Sequence, residues 1–254
     1  MVTVSESVPV LLLHGFLGNP EDWDAVLDAW SPQKQVYPLS LVSLVGQPST
    51  SVSDHVQILD RMLSAILAML DGHDIEVCDM VGYSMGGRIA WLFAHHYPHR
   101  VRRLCILSAT PGISDPETRR MREVQDRAWG ALLRSVGMSD FLTFWYAQPL
   151  FDSFREHFVF QNVVQRRALE DTEVQAQILE GCSPALQPDL WDWVLASQIP
   201  TLYLSGEKDL RYTQIGNRLL ANRDIRCEVL PCVGHVLHLE APQAVAMALG
   251  RFLI

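Results

Sequence analysis

The chain has 254 residues, of which 48% are hydrophobic and 19% charged, and a formal net charge of -9. That length and balance suit one large domain, or a core carrying an insertion, and exclude a disordered or fibrous protein. The acidic balance argues against nonspecific nucleic-acid binding, which needs a basic surface to neutralise phosphates, yet it leaves room for a small anionic ligand held by a local arginine cluster such as Arg119 to Arg134.

The amino-terminal stretch holds Glu6 and no basic run, and the apolar segment Val8 to Leu13 stops at His14, which is not the pattern of a signal peptide. No apolar run reaches membrane-spanning length, so a soluble protein with no membrane insertion is expected. Cys78, Cys105, Cys182, Cys227 and Cys232 form neither a C-x-x-C pair nor an even set. Reduced, mostly buried thiols in a cytoplasmic protein are the expectation.

Along the chain, short β-rich segments alternate with helical patterns. Val8 to Leu13 and Gln35 to Leu39 read as strands, and Ser53 to Leu70 reads as a helix because Val56, Leu59, Leu63 and Leu67 recur at helical spacing. Val77 to Val81 is the next strand, followed by a helix over Ser84 to His96 and a strand over Arg103 to Leu107. From about Gly112 to Leu195 the alternation gives way to amphipathic helices rich in arginine and tryptophan, bounded by Thr110-Pro111-Gly112 and Ser197-Gln198-Ile199-Pro200. Strand Thr201 to Ser205, helix Gln214 to Ala221, strand Arg226 to Leu230 and helix Pro242 to Leu253 complete the pattern. An α/β fold follows, with a mostly parallel sheet flanked by helices. Its core comprises residues 1–111 and 196–254, and a helical cap is inserted at 112–195.

The chemistry-bearing motif is Gly82-Tyr83-Ser84-Met85-Gly86, a G-x-S-x-G placed where a strand turns into a helix. Glycines on either side relieve crowding there, so Ser84 can hold a strained turn and project its hydroxyl. A serine hydroxyl needs a histidine to take its proton and a carboxylate to orient that histidine. Asp209 lies just past the strand ending at Ser205, and His235 past the strand ending at Leu230. Glu207 is a rival for the acid and His238 for the base, ranked second because Glu207 falls earlier in its turn and Gly234 immediately precedes His235. The order serine, acid, histidine is that of hydrolase-type sheets. Leu13-His14-Gly15-Phe16 follows the first strand, and the backbone N–H groups of Phe16 and Met85 are the natural pair for an oxyanion hole. His14 reads as a structural residue shaping that turn. No metal or cofactor is indicated: the histidines lack ligand spacing, and neither a G-x-G-x-x-G nor a Walker loop is present.

With these residues in place, the chain resembles the α/β-hydrolase superfamily over nearly its full length. Within it, His14-Gly15-Phe16-Leu17-Gly18, Glu21-Asp22-Trp23 and the elbow from Gly82 to Arg88 resemble the 2-succinyl-6-hydroxy-2,4-cyclohexadiene-1-carboxylate synthase family of the menaquinone pathway. The cap residues Pro111-Gly112, Arg122, Asp126-Arg127, Trp145-Tyr146, Gln148-Pro149 and Gln187-Pro188-Asp189-Leu190-Trp191 carry the likeness further. The resemblance implies a lyase that eliminates pyruvate from a small polyanionic metabolite with three carboxylates, in menaquinone or phylloquinone biosynthesis. It marks Arg88, Arg122 and Arg166 as substrate ligands and Tyr83 and Trp145 as pocket-lining residues, with Arg167 an equally placed alternative to Arg166.

Departures are present too. Many relatives carry an aspartate followed by P-G-H-G where this chain reads Ser43 to Ser49, and the short amino terminus suggests fewer strands than in larger hydrolases. The alternative activity is that of a serine esterase, thioesterase or carbon-carbon bond hydrolase with Ser84 as nucleophile, since one triad serves both chemistries. The arginines distinguish them, because an apolar ester would leave Arg88 and Arg122 without partners. A noncatalytic receptor on the same scaffold is a third reading, disfavoured by the complete triad.

Overall fold

The computed structural model describes residues 8–46 and 57–254. Expectations resting on residues 1–7, on Gln47 to Ser49 and on the first residues of the Ser53 to Leu70 helix lie outside the described residues.

Six strands form one sheet: β1 (Val10–Leu13), β2 (Val36–Leu39), β3 (Cys78–Tyr83), β4 (Val101–Leu107), β5 (Thr201–Gly206) and β6 (Ile225–Leu230). Their spatial order is β2-β1-β3-β4-β5-β6, and every pairing is parallel. Each residue of β1, β3 and β5 is buried. This explains why these segments read as apolar runs without alternation: a parallel sheet covered on both faces has no wet side.

Side chains alternate across the strands, so successive residues feed two cores. Leu11, Leu13, Met80, Leu104 and Ile106 point to one face. There they meet α3 (Ile58–Gly72), through Ile58, Met62 and Ile66, and α4 (Met85–His96), through Ile89 and Phe93. Val10, Leu12, Val81, Leu107, Leu202 and Leu204 point to the other. That face is covered by α1 (Asp24–Trp30), through Val26, and α12 (Pro242–Phe252), through Val245 and Leu249.

The short helices α2 (Leu41–Val45) and α11 (Leu237–Glu240) lie in the connections, and α10 (Leu210–Leu219) joins β5 to β6. Helix α10 begins at Leu210 and not near Gln214; Leu210 is 70% exposed, so the apolar periodicity does not reveal the first turn.

Between β4 and β5 the chain forms α5 (Pro116–Tyr146), α6 (Asp152–Arg155), α7 (Phe160–Arg167), α8 (Thr172–Gly181) and α9 (Trp191–Ala196). Helix α5 starts with Asp115 accepting from the Thr118 amide at 2.7 Å and with proline in its first turn, two standard start signals. It is broken at Gly137, whose φ of 76° and ψ of 171° are not helical.

From β1 the chain goes outward to β2 and then returns past β1 to β3. The carboxyl ends of β1 and β3 therefore bound the switch point of the sheet, where open α/β folds place their ligands. Among the described residues no helix is long and apolar enough to cross a membrane. All five cysteines are unpaired: Cys78, Cys105 and Cys182 are buried, Cys227 is half-buried and Cys232 exposed.

Candidate active site

Ser84 sits at the junction of β3 and α4 with φ 50° and ψ -109°. Such a backbone costs a non-glycine residue on the order of 1–3 kcal/mol and persists only where its surroundings enforce it. Here the enforcement is close contact. A Cβ on Gly82 would lie 2.5 Å from the Gly86 carbonyl oxygen, and one on Gly86 would collide with the carbonyls of Leu13 and His14. Helix α4 is thus pressed against the end of β1, and Ser84 stands above it.

The three residues named from sequence order meet. His235 Nε2 lies 3.2 Å from Ser84 Oγ, and His235 Nδ1 lies 2.7 Å from Asp209 Oδ2. His235 and Asp209 are 3% and 5% exposed, so solvent competes little with either contact. Ser108, at the end of β4, donates its hydroxyl to the same Asp209 Oδ2 at 3.0 Å. Nothing in the sequence pattern singled out Ser108; the only cue was its place one residue past a strand that runs beside β5.

The rivals are elsewhere. Glu207 accepts the Cys232 amide at 2.8 Å and braces the β6 turn. His238 is wholly buried, its ring 4.9 Å from Trp23 and 4.3 Å from Tyr83, and burial pushes its pKa down to about 3. His14 donates from Nδ1 to the Gly15 carbonyl at 2.8 Å and accepts the Leu41 amide at Nε2 at 3.0 Å. Burial lowers its pKa to about 4, which suits a neutral ring that ties the first turn to α2.

Ser84 and His235 face a cavity of about 310 Å³ roofed by residues of the inserted helices. Phe16, Met85, Tyr83, Arg88, Arg122 and Trp145 all line it. Among the described residues neither the Phe16 nor the Met85 amide donates to a carbonyl, and the Met85 amide opens α4, where the helix leaves donors unused. The Trp145 ring packs edge-on to Phe16 at 5.0 Å and stacks on Phe141. Tyr83 is buried, and burial pushes its hydroxyl pKa well up.

The arginines divide. Arg88 is 8% exposed, and its recorded hydrogen-bond partner is a neutral oxygen, Gln187 Oε1 at 2.5 Å. Burial, and then repulsion from Arg122, lower its pKa to about 10. The guanidinium is therefore charged at neutral pH and poorly compensated. Arg122, by contrast, already has an anion: its Nε reaches both carboxylate oxygens of the buried Asp126, at 2.9 and 2.8 Å. The expectation that Arg122 would lack a partner without substrate is therefore corrected.

Arg166 is corrected as well. It is 38% exposed along its side chain and bonds Asp22 Oδ1 at 2.6 Å, away from the cavity wall. Successive helical residues point about 100° apart, so its neighbour Arg167 turns inward instead. Arg167 is buried, lines the cavity and holds Asp22 Oδ2 at 3.0 Å. Burial opposes ionisation of Asp22, but Arg167, His238 and Arg166 together bring its pKa below the ordinary value. Among the described residues no group of three histidine, cysteine or acidic side chains is arranged to hold a metal.

A parallel sheet, a strained serine at the switch point and a histidine backed by a buried carboxylate define a class. The chain belongs to the alpha/beta hydrolase fold family, whose model matches residues 8–242, and is an enzyme on that scaffold. Within it, the chain groups with the 2-succinyl-6-hydroxy-2,4-cyclohexadiene-1-carboxylate synthases. It is 31% identical to the one from Klebsiella pneumoniae (strain 342), over 96% of this chain and 93% of that protein. The solved structure of MenH from S. aureus superposes with a TM-score of 0.89 at 25% identity, covering 99% of this chain and 95% of that one. The chloroplastic protein PHYLLO of Arabidopsis thaliana is 28% identical over 98% of this chain, which spans only 15% of that protein's length.

Proposed function

We propose that this protein is a cytoplasmic lyase that eliminates pyruvate from 2-succinyl-5-enolpyruvyl-6-hydroxy-3-cyclohexene-1-carboxylate, giving 2-succinyl-6-hydroxy-2,4-cyclohexadiene-1-carboxylate for menaquinone or phylloquinone synthesis. The observation that carries this reading is Arg88, a buried guanidinium one helical turn beyond Ser84 with no carboxylate partner among the described residues. Holding an unpaired cation out of water is costly, and a substrate carboxylate docked in its fork repays that cost. The names of the relatives supply the substrate, and unpaired thiols fit a reducing compartment.

In this mechanism His235 draws the proton from Ser84, and Ser84 Oγ acts as the base on the ring C–H beside the succinyl ketone. Asp209 stabilises the imidazolium that results. The developing enolate oxygen accepts hydrogen bonds from the Phe16 and Met85 amides, and these strengthen as its charge builds toward the transition state. Collapse of the enolate breaks the ring carbon-oxygen bond. The enolpyruvyl group takes the stored proton from His235 and leaves as pyruvate. The helices at 112–195 serve as a cap that keeps water from the enolate, with Arg122, Arg167, Tyr83 and Trp145 shaping the substrate's seat. Arg167 replaces Arg166 as the substrate ligand from α7.

The test supplies the enolpyruvyl substrate and follows pyruvate, in parallel with an activated ester. Pyruvate release that falls roughly 10³-fold or more in Ser84→Ala is expected. Rapid ester hydrolysis with no pyruvate would sink the lyase reading and leave a serine hydrolase.

A further inference from the structure

The reaction cavity adjoins a second, more open cavity of about 610 Å³, and the two share Arg122, Gln125 and Arg211 as a common wall. The outer cavity has an apolar side formed by Ile113, Met121, Val124 and Ala128, of which Met121 and Val124 are 62% and 65% exposed. Two large apolar side chains left this open beside cations form a surface suited to an amphipathic anion rather than to bulk water.

Arg211 stands at the junction. It follows Asp209 by two residues in the first turn of α10, so the turn that places the triad acid also fixes its backbone. Its guanidinium lies 5.7 Å over the ring of Tyr212, and that ring lies 4.8 Å from the ring of His235. The other cations of the two cavities are engaged. Arg120 pairs with Glu117, Arg122 with Asp126 and Arg167 with Asp22. Arg88 holds neutral Gln187. Among the described residues Arg211 pairs with no carboxylate. Among the described residues the two adjoining cavities thus present two cations without a carboxylate partner: the buried Arg88 inside and the exposed Arg211 at the boundary.

We propose that the outer cavity is a second carboxylate subsite, in which Arg211 receives a carboxylate on the arm of the substrate that projects away from Ser84, with that arm's methylene carbons lying on Met121 and Val124. This rests on the polyanionic-substrate reading of the reaction cavity and deepens it. Arginine suits the task because its planar fork takes both carboxylate oxygens and remains charged throughout the working range. Because the subsite binds a group remote from the reacting carbon, ground state and transition state gain alike, and its loss raises KM while sparing kcat.

The experiment titrates tricarballylate, an unreactive tricarboxylate, into the intact enzyme and into Arg211→Ala, Arg211→Lys and the distant control Arg251→Ala. Turnover of the enolpyruvyl substrate is measured on the same samples. Tricarballylate affinity roughly tenfold lower in Arg211→Ala is expected, partly recovered in Arg211→Lys and unchanged in Arg251→Ala, with a matching rise in KM at constant kcat. Equal affinity and equal KM in Arg211→Ala and the parent overturn the subsite while leaving the lyase standing. Tricarballylate binding that depends on Arg211 in an enzyme releasing no pyruvate keeps the subsite and overturns the lyase. A parent enzyme that neither binds tricarballylate nor releases pyruvate overturns both.

Discussion

Asp209 Oδ2 receives two hydrogens, one from His235 and one from the hydroxyl of Ser108. A buried carboxylate free to rotate would meet the imidazole in several geometries, and the second donor removes that freedom. In the proposed mechanism Ser108 is therefore a positioning residue, reaching the reaction through Asp209. Ser108→Ala is expected to lower kcat about fivefold, in line with the roughly 1 kcal/mol of one hydrogen bond, with KM unchanged. A rise in KM with kcat unchanged would mean that Ser108 only packs. Asp126 plays a different part at this scale. By engaging Arg122 it leaves Arg88 as the buried cation that calls for an external anion. That distinction depends on which guanidinium meets which carboxylate across a helix face, and it is a matter of side-chain reach more than of spacing.

Helix α5 supplies both Arg122 and Trp145 to the cavity, and it breaks between them at Gly137. After the break Trp145 stacks on Phe141, one turn earlier on the same stretch, and meets Phe16 and Trp129 edge-on. A Cβ at Gly137 would touch nothing within 4 Å, so substitution there tests backbone strain and not crowding. Gly137→Ala should cost about 1 kcal/mol and roughly 2–4 °C in Tm, and should raise KM through displacement of Trp145. A higher Tm with unchanged KM would show that α5 prefers to run straight. Strands β1, β3 and β5 and the helix behind Ser84 were legible beforehand because buried parallel strands leave uninterrupted apolar runs, and because the elbow glycines are demanded by contact with β1. That Ser84, Asp209 and His235 would meet was legible because each follows a strand end. Helices α1, α2 and α11 were not, being too short for an apolar period to repeat. The resemblance marks Arg166 and leaves Arg167 open, because sequence does not tell which of two adjacent residues, facing about 100° apart, points inward.

Two neutral histidines tie the whole molecule to pH. His14 holds the turn after β1 by donating at one ring nitrogen and accepting the Leu41 amide at the other, an arrangement that a second ring proton would break. His238 lies between Trp23 and Tyr83 with both ring nitrogens buried and without a hydrogen-bond partner among the described residues. Burial lowers the two pKa values to about 4 and about 3, whereas both rings titrate near 6.5 once the chain unfolds. Between those values the unfolded chain binds more protons than the folded one, so stability must fall as pH drops from about 6.5 toward 4. Each ring contributes a slope of up to roughly 1.4 kcal/mol per pH unit within the window. Asp22 enters later and in the same direction: its carboxyl is held below the ordinary value, so its contribution is present above the unfolded pKa and is lost only as pH falls through the folded one. Urea unfolding midpoints at pH 7, 6 and 5 measure the effect directly, and they should decline steadily over that range. His238→Phe keeps the aromatic contact with Trp23 and Tyr83 but cannot take up a proton, so its midpoints should decline about half as steeply as those of the parent. Parallel decline in both proteins would assign the acid sensitivity to other groups. A parent with one midpoint at pH 7 and pH 5 would mean that neither ring is held neutral by the fold.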